Sequence, residues 1–185
     1  MGKSTAAAMM RRFGWPVFDS DASSRTLTAQ GGAALPEIAA AFSGVVGPMG
    51  LDRAALAEAV FSKPDALRRL EGILHPKIIA SRRKFLMTAA IRRAAAVVLD
   101  IPLLFETGAD KDVDIVVVAT APAFLQRQRA LGRKGMTAER LKGILARQIA
   151  DHTKRRQAFV VVPSGLGKRE ALRHLTRLRH LRLTR

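Results

Sequence analysis

The sequence predicts an α/β fold built around a parallel sheet, and two features of the chain indicate this. Short apolar stretches that are typical of buried strands recur at 15–18, 95–100, 113–121 and 158–163. Segments whose apolar residues follow helical spacing lie between these stretches. Alternating strands and helices are typical of a parallel sheet that carries helices on both faces.

The N-terminal half is predicted to be mostly helical. A short helix over 4–13 precedes the first strand, and the polar letters DSDASS at 19–24 predict a loop at its carboxyl end. The region 32–93 is helical throughout in its pattern, with Asp52 as an N-cap and Pro76 in the first turn of a helix. The helices predicted there span residues 34–42, 51–61, 63–74 and 76–93.

The C-terminal half alternates strands with helices. Residues 122–156 are predicted to be helical with a glycine and lysine break near 132–135, and the loop 164–168 follows the last strand. One face of the final helix is predicted to carry Leu172, Leu175, Leu178 and Leu181. That helix either docks on the sheet or contacts a nucleic acid or a membrane, and the sequence leaves both open.

The composition is that of a globular protein with a strongly basic surface. Of 185 residues 48% are apolar, and 32 Lys and Arg against 15 Asp and Glu give a net charge of +17. Such a surface attracts phosphates, polynucleotides or anionic lipids, unless the arginines are merely solvated. The chain has no cysteine, and its four histidines lack ligand spacing, so a catalytic metal would be a hard ion held by oxygen.

Targeting signals are weak in this sequence. No apolar run reaches the roughly 18 residues of a membrane span. The first 18 residues lack acids and are rich in Ala and Arg, which imitates an organelle transit peptide, but they continue directly into the predicted fold. We therefore expect a cytoplasmic protein with no membrane partner.

The letters GKST at 2–5 match the second half of a phosphate-binding loop. At a helix N-terminus, unpaired N–H groups bind phosphate, a lysine neutralises the transferring group and a hydroxyl can hold Mg²⁺. So few letters also occur by chance, and the prediction therefore depends on other residues at the same edge of the sheet.

Acidic residues follow two of the predicted strands. Asp19 and Asp21 come after the first strand, and Asp100 and Glu106 lie at and beyond the end of the second. Ligands of doubly wound sheets bind outside the carboxyl ends of the strands. One aspartate there can orient Mg²⁺ through water, and another can take the proton of an acceptor hydroxyl. Capping of a loop is the alternative role for each cluster.

A set of motifs in a fixed order favours the catalytic interpretation. The motifs are GKST at 2–5, FDSDASS at 18–24, LHP at 74–76, DIPLLFE at 100–106, QRQRALGR at 126–133 and SGLGK at 164–168. This ordered set resembles the dephospho-coenzyme A kinase family and covers almost the whole chain. DIPLLFE after a D-x-D and an H-P is quite specific to that family, whereas the arginine-rich segment is not.

The resemblance implies an α/β P-loop NTPase fold of the nucleoside-monophosphate kinase kind. It implies a single domain over 1–185 with a parallel five-stranded sheet, helices on both faces, a helical acceptor-binding region at about 32–94 and a small helical lid at about 126–150. The implied reaction is ATP-dependent phosphorylation of the ribose 3′-hydroxyl of dephospho-coenzyme A with Mg²⁺, the last step of coenzyme A synthesis. No specific nucleic acid partner is expected, and the implied state is a monomer or a weak homo-oligomer.

The resemblance also implies roles for individual residues. It assigns ATP binding to Gly2, Lys3, Ser4, Thr5, Ser164 and Gly165, with Lys3 catalytic and Ser4 and Asp100 on Mg²⁺. It assigns the acceptor side to Asp19, Asp21, His75, Pro76, Phe85, Pro102 and Leu103, with Asp21 as the base on the 3′-hydroxyl.

The lid is expected to supply a charge clamp over the transferring phosphoryl group. Arg127, Arg129 and Arg133 lie two and four residues apart on the helix that ends at Gly132, so not all three can face one ligand. Arg129 and Arg133 can share a face, and a desolvated guanidinium is effective against a phosphoryl group. A solvated helix arginine remains the alternative for each of them.

The sequence departs from the family pattern in three places. The first glycine of the phosphate loop, and the central strand before it, would lie ahead of Met1. Ala158-Phe159 stands where the family has Ala-Asp, and Ser164 replaces an Asn near the adenine. Either Met1 is an internal methionine of a longer chain, or the chain is an N-terminally truncated form with impaired activity.

Two other functions stay open at this stage. One is a non-catalytic, basic nucleic-acid-binding protein, although 5% aromatic residues and no tyrosine argue against specific single-strand recognition. The other is an inactive kinase remnant that keeps its acceptor pocket.

Overall fold

The computed structural model describes residues 2–60, 63–133, 135–146 and 148–180. The chain forms two compact units, of which the first comprises Met1–Val17 and Asp100–Arg185 and the second comprises Phe18–Leu99. The prediction of a single domain over 1–185 stays a prediction, and each unit is described by itself.

The helices and strands alternate along much of the chain. The helices are α1 Lys3–Arg11, α2 Ser20–Leu27, α3 Leu35–Ala41, α4 Arg53–Val60, α5 Pro64–Ile91, α6 Ala123–Leu131, α7 Ala138–Ala146, α8 Asp151–Gln157 and α9 Lys168–Thr176. The strands are β1 Val17–Asp19, β2 Val46–Gly47, β3 Gly50–Leu51, β4 Val98–Asp100, β5 Val117–Thr120 and β6 Val160–Pro163. Short 3-10 turns span Ala109–Asp112 and Arg177–His180.

A parallel strand pair lies at the centre of the first unit. In this pair β5 and β6 run side by side, with Val117 opposite Val160. Helix α9 packs on β6, and α1 packs on both α9 and β5. Val162 of β6 and Leu175 of α9 are fully buried. Burial of these two side chains places the apolar core of the first unit between β6 and α9.

The predicted leucine face of the last helix forms only in part. Leu175 and Leu178 are buried, but Leu172 is 39% exposed, and Leu181 lies outside the described residues. Three residues advance by about 300° round an α-helix, so a stripe with this spacing drifts by about 60° at each step. The predicted leucine face is therefore buried at Leu175 and Leu178 and reaches its exposed edge at Leu172, and the helix docks on the sheet.

The core of the second unit is built by helices α3, α4 and α5. Its buried members are Ala34, Ile38, Phe42, Val45, Leu56 and Leu70. Asp52 caps α4 as predicted, because its Oδ1 accepts hydrogen bonds from the N–H groups of Ala54 and Ala55 at 2.9 and 3.0 Å. Burial of this apolar cluster, rather than helix propensity, stabilises the three helices together.

Helix α5 is continuous where the sequence predicted two helices. It runs from Pro64 to Ile91, and Pro76 lies in its interior rather than in a first turn. A proline there lacks the N–H that would bond the carbonyl of Gly72. The helix nevertheless persists, because it packs against α2, α3 and α4 along its length.

A small antiparallel hairpin interrupts the region that was predicted to be helical throughout. β2 pairs with β3, with Val46 opposite Leu51. Gly50 has a φ of +100°, and a Cβ added there would lie 2.8 Å from the backbone nitrogen of Gln30. Only glycine fits this position, because both the left-handed backbone and the close approach exclude a side chain.

The strands of the described residues form three two-stranded sheets, which pair β1 with β4, β2 with β3 and β5 with β6. The predicted five-stranded parallel sheet is therefore not confirmed. None of the helices in the described part of the chain has the length and apolarity needed to span a bilayer.

Candidate active site

The tight turn at the start of α1 brings Gly2 against Ser164. Gly2 adopts a left-handed φ of +95°, and a Cβ added to it would lie 2.6 Å from the Ser164 Cβ. The residues that follow, Lys3, Ser4 and Thr5, form the first turn of α1, with Ser4 and Thr5 exposed. The first turn of a helix offers N–H groups without partners in the helix, and these bind anions.

Lys3 forms an ion pair with Asp100, the last residue of β4. The Lys3 Nζ donates a hydrogen bond to the Asp100 Oδ1. The Asp100 side chain is 4% exposed, whereas that of Lys3 is 41% exposed. A buried carboxylate is costly without a partner, so this pair holds the ammonium group at the tip of α1.

The loop after β6 is fixed by hydrogen bonds to β5. The N–H and the Oγ of Ser164 both donate to the Thr120 carbonyl, at 2.8 and 2.9 Å. The Ser164 carbonyl in turn accepts from two guanidinium nitrogens of Arg129, each at 3.3 Å. Gly165 lies close to Pro122, since a Cβ added to Gly165 would be 3.0 Å from the Cδ of Pro122. The structure thus brings together Gly2, Ser164 and Arg129.

Arg129 and Arg133 do not share a helical face. Helix α6 ends at Leu131 and Gly132 is its C-cap, so Arg133 lies beyond the helix and is exposed. Arg127 faces elsewhere, because it lines an open cavity of about 570 Å³ between α6 and α7. The shared face predicted for Arg129 and Arg133 is therefore wrong, and their roles at a phosphoryl group stay predictions.

Glu106, for which no separate role was predicted from the sequence, is held by two donors. Its Oε1 accepts from the Ile149 N–H and from the Lys154 Nζ, each at 2.8 Å. Burial raises the pKa of Glu106, but hydrogen bonds from Lys154, from its own N–H and from Ile149 outweigh burial and lower the pKa below the ordinary 4.5. Only its place in the DIPLLFE motif distinguished this residue in the sequence.

In the second unit, the acids Asp19 and Asp21 have different roles. The predicted loop at 19–24 is wrong, because α2 begins at Ser20 and Asp19 is its N-cap. The Asp19 Oδ1 accepts from the Ala22 N–H at 2.8 Å, and its Oδ2 lies 4.0 Å from Arg25. Asp21 lies in the first turn of α2 and is exposed. Aspartate and serine favour loops and N-caps alike, so the sequence did not separate the two.

The remaining acceptor-side residues lie on two segments. In the second unit, Phe85 of α5 contacts Phe18 with ring centroids 5.6 Å apart, whereas His75 and Pro76 are exposed on the same helix. Pro102 and Leu103 follow β4 in the first unit, and Leu103 has a left-handed φ of +54°. A bulky side chain in that backbone region is strained, which is common near functional sites.

The oxygen donors at the first turn of α1 suit Mg²⁺ better than a metal whose ligands all come from protein side chains. No group of three or more His, Cys, Asp or Glu that could hold a metal occurs among the described residues. Mg²⁺ is usually held by one or two carboxylates together with substrate phosphates and waters. The Ser4 hydroxyl lies in the first turn of α1, and the Asp100 carboxylate is paired with Lys3 in the same turn. These two oxygen donors match that pattern.

Comparison with known proteins gives a consistent result. The family model described as dephospho-CoA kinase matches residues 1–167. A dephospho-CoA kinase of Gluconobacter oxydans is 49% identical over 183 residues, which cover 97% of this chain and 91% of that protein. One from Rhodospirillum rubrum is 51% identical over 177 residues, which cover 95% of this chain and 83% of that protein.

Solved structures agree with the sequence matches. The crystal structure of TT1252 from Thermus thermophilus superposes with a TM-score of 0.80 at 34% identity, covering 100% of this chain and 93% of the other. Dephospho-CoA kinase from Campylobacter jejuni gives a TM-score of 0.68 at 25% identity, covering 96% and 89%. The P-loop fold is confirmed, and these matches support neither a nucleic-acid-binding protein nor an inactive truncated form. The chain belongs to the dephospho-CoA kinase family, whose members are ATP-dependent kinases that catalyse the last step of coenzyme A biosynthesis.

Proposed function

We propose that Lys3, Ser4 and Asp100 bind magnesium ATP, and that Asp21 takes the proton from the 3′-hydroxyl of dephospho-coenzyme A. The observation that carries this proposal is the Lys3–Asp100 ion pair at the first turn of α1. An ammonium group and a carboxylate held together at a helix N-terminus match the needs of a triphosphate and its cation.

The nucleotide side depends on the first turn of α1. Gly2, Thr5 and the N–H groups of this turn bind the phosphates, while Lys3 neutralises charge on the transferring group. Ser164 and Gly165 contact the rest of the nucleotide, since Ser164 lies directly against Gly2. When bound, Mg²⁺ would supply charge neutralisation of the phosphate oxygens, with Ser4 and Asp100 as its protein partners.

The acceptor side depends on the difference between Asp19, the last residue of β1, and Asp21, which lies two residues beyond it. Asp19 is engaged as the cap of α2 and lies near Arg25. Asp21 is exposed in the first turn and is therefore the better base. In the reaction the 3′-oxygen forms a bond to the γ-phosphorus, the bond from that phosphorus to the bridging oxygen of ADP breaks, and the hydroxyl proton passes to Asp21.

Other residues shape the acceptor and shield the transferring group. Acceptor contacts are proposed for Asp19, His75, Pro76, Phe85, Pro102 and Leu103. Arg129 and Arg133 of the lid, 126–150, stabilise the charge of the phosphoryl group as it transfers. The Arg129 bonds to Ser164 are long, at 3.3 Å, so its guanidinium can exchange this carbonyl for a phosphate oxygen at little cost.

We test the base with Asp21→Asn. The variant keeps the size of the side chain but cannot accept the proton, so kcat for dephospho-coenzyme A falls by at least about 100-fold while the KM for ATP stays nearly unchanged. Asp65→Asn is the control, because Asp65 is an exposed acid of the same unit that pairs with Arg68 on α5. Full activity of Asp21→Asn would remove the proposed base.

The cellular setting follows from charge and composition. We propose a cytoplasmic protein, since a chain without cysteine suits a reducing compartment. We propose no specific nucleic acid partner, since few aromatic residues are present to stack on bases. The monomer or weak homo-oligomer that the family resemblance implies stays a prediction. A salt titration of RNA binding tests the proposed lack of a specific nucleic acid partner. Any affinity is expected to fall steeply with salt and to show no sequence preference.

A further inference from the structure

The segment 100–106 has an anchored acid at each end. Asp100 pairs with Lys3 at the tip of α1, and Glu106 bonds the Ile149 N–H and the Lys154 Nζ through one oxygen. The Glu106 side chain is 12% exposed and that of Lys154 is 20% exposed. Hydrogen bonds to a charged group in such a setting are stronger than neutral ones. Glu106 thereby connects the phosphate-binding turn to the chain that follows α7.

The backbone around Glu106 forms hydrogen-bonded turns. The Thr107 N–H and Oγ1 both donate to the Leu103 carbonyl, at 3.0 and 2.9 Å. The Gly108 N–H donates to the Phe105 carbonyl at 3.1 Å. These bonds hold Leu103 in its left-handed conformation. These turns span Glu106, so its backbone is fixed relative to Leu103 and Thr107.

Helix α7 itself is held loosely to the first unit. Leu141 is its buried side chain, whereas Ile144 and Leu145 are 42% and 48% exposed. The space between α6 and α7 is the cavity of about 570 Å³ that Leu141 and Leu145 line. An element with so few buried contacts moves at low cost. The position of α7 therefore depends on how the chain is fixed at its two ends.

The C-terminal end of this element is the better fixed one. Ile149 is bonded to Glu106, and the Thr120 hydroxyl donates to the Asp151 carboxylate at 2.9 and 3.0 Å. Between α6 and α7, Gly135 has a left-handed φ of +76°. Rotation of α7 about the anchored end at Ile149 thus displaces mainly the end that follows Gly135 and Arg133.

We propose that Glu106 is a positioning residue for the kinase reaction: by accepting the Ile149 N–H hydrogen bond it fixes the pivot of the lid relative to the Lys3–Asp100 pair. This role rests on the proposed function of 126–150 as a lid. Glu106 does not touch the substrates. It sets where α7 and the neighbouring Arg133 lie when the phosphoryl group transfers, so its loss acts on kcat more than on the KM for ATP.

Two substitutions at Glu106 separate the pivot from the ion pair. Glu106→Gln keeps an oxygen that accepts the Ile149 N–H but loses the charge that pairs with Lys154. Glu106→Met keeps a similar unbranched shape and loses both. We expect kcat within about threefold of the unaltered chain for Glu106→Gln and about tenfold lower for Glu106→Met, with the KM for ATP unchanged in both. Equal kcat values for the two variants would overturn the proposal.

Amide hydrogen exchange at Ile149 gives a readout that does not depend on activity. The Ile149 amide is expected to exchange slowly in the unaltered chain and in Glu106→Gln, and rapidly in Glu106→Met. Rapid exchange in the unaltered chain overturns the proposal even if Glu106→Met does not fold. Glu170→Gln, which breaks a carboxylate contact with Arg173 on α9, is the control and leaves both kcat and Ile149 exchange unchanged. An inactive unaltered chain with a protected Ile149 amide would instead indicate that the proposed function is wrong.

Discussion

Two acids near the carboxyl ends of strands, Asp100 as the last residue of β4 and Asp21 two residues after β1, are held in opposite ways. Asp100 is 5% exposed and pairs with a lysine 97 residues away in the sequence. Asp21 is exposed in the first turn of α2. A buried, paired carboxylate keeps a fixed position, whereas an exposed carboxylate is accessible to a bound group and can turn towards it. The difference in burial thus matches the proposed roles, in which Asp100 holds Lys3 and Mg²⁺ and Asp21 takes a proton from the acceptor.

The largest expected effect comes from breaking the buried pair with Asp100→Asn. Because Asp100 both holds Lys3 and supplies the proposed metal ligand, we expect kcat/KM to fall about 1,000-fold. The free energy of unfolding should also fall by about 1–2 kcal/mol, a modest loss because Lys3 is 41% exposed and can be hydrated. Steady-state kinetics and chemical denaturation measure the two effects. Asp21→Asn is expected to lose activity with no change in the free energy of unfolding, because Asp21 is exposed. An equal loss of stability in Asp100→Asn and Asp21→Asn would contradict the difference between the two acids.

The next effect concerns the turn that presents Lys3. Gly2→Ala forces a Cβ to within 2.6 Å of Ser164 in a left-handed backbone, so the turn must shift and kcat/KM should fall about tenfold or more. Gly14→Ala is a matched control, because Gly14 has a φ of +83° and an added Cβ meets nothing within 4 Å. It should destabilise the fold by about 1 kcal/mol, through backbone strain alone, and leave activity intact. Similar kinetics for the two variants would mean that the contact with Ser164 is unimportant.

The sequence could predict those parts of the molecule that depend on neighbouring residues, and it could not predict those that depend on packing between distant residues. Local signals predicted α1, the Asp52 cap of α4 and the end of β4 at Asp100, because each depends on neighbouring residues. The strand pair β2 and β3 was missed, since each strand has two residues and too few positions to show alternation. The continuity of α5 through Pro76 was missed as well, because packing against other helices outweighs the local signal of a proline.

The residues of the candidate site likewise fall into those that motifs predicted and those that only the structure brings together. The motifs pointed to Lys3 and Asp100, and the structure brings these two side chains together. The partners of Glu106 lie 43 residues away and more, and no spacing rule links residues at that distance. The helical face predicted for Arg129 and Arg133 was wrong because α6 ends at Leu131, which leaves Arg133 two residues beyond the helix.

The smallest expected effect is a pH-dependent part of the stability that comes from Glu106, a partly buried acid that is paired with a lysine as Asp100 is. Its pKa in the folded chain is below the ordinary 4.5, so its ionised form stabilises the fold above that pH. This contribution is lost as the pH falls through the lowered pKa, because the folded chain must then take up a proton. Glu106→Gln should therefore reduce the free energy of unfolding by about 1–2 kcal/mol at pH 7, with the difference from the unaltered chain shrinking below pH 4.5. Denaturation curves from neutral to acidic pH measure this difference. A difference that stays constant or grows as the pH falls would mean that the charge on Glu106 does not stabilise the fold.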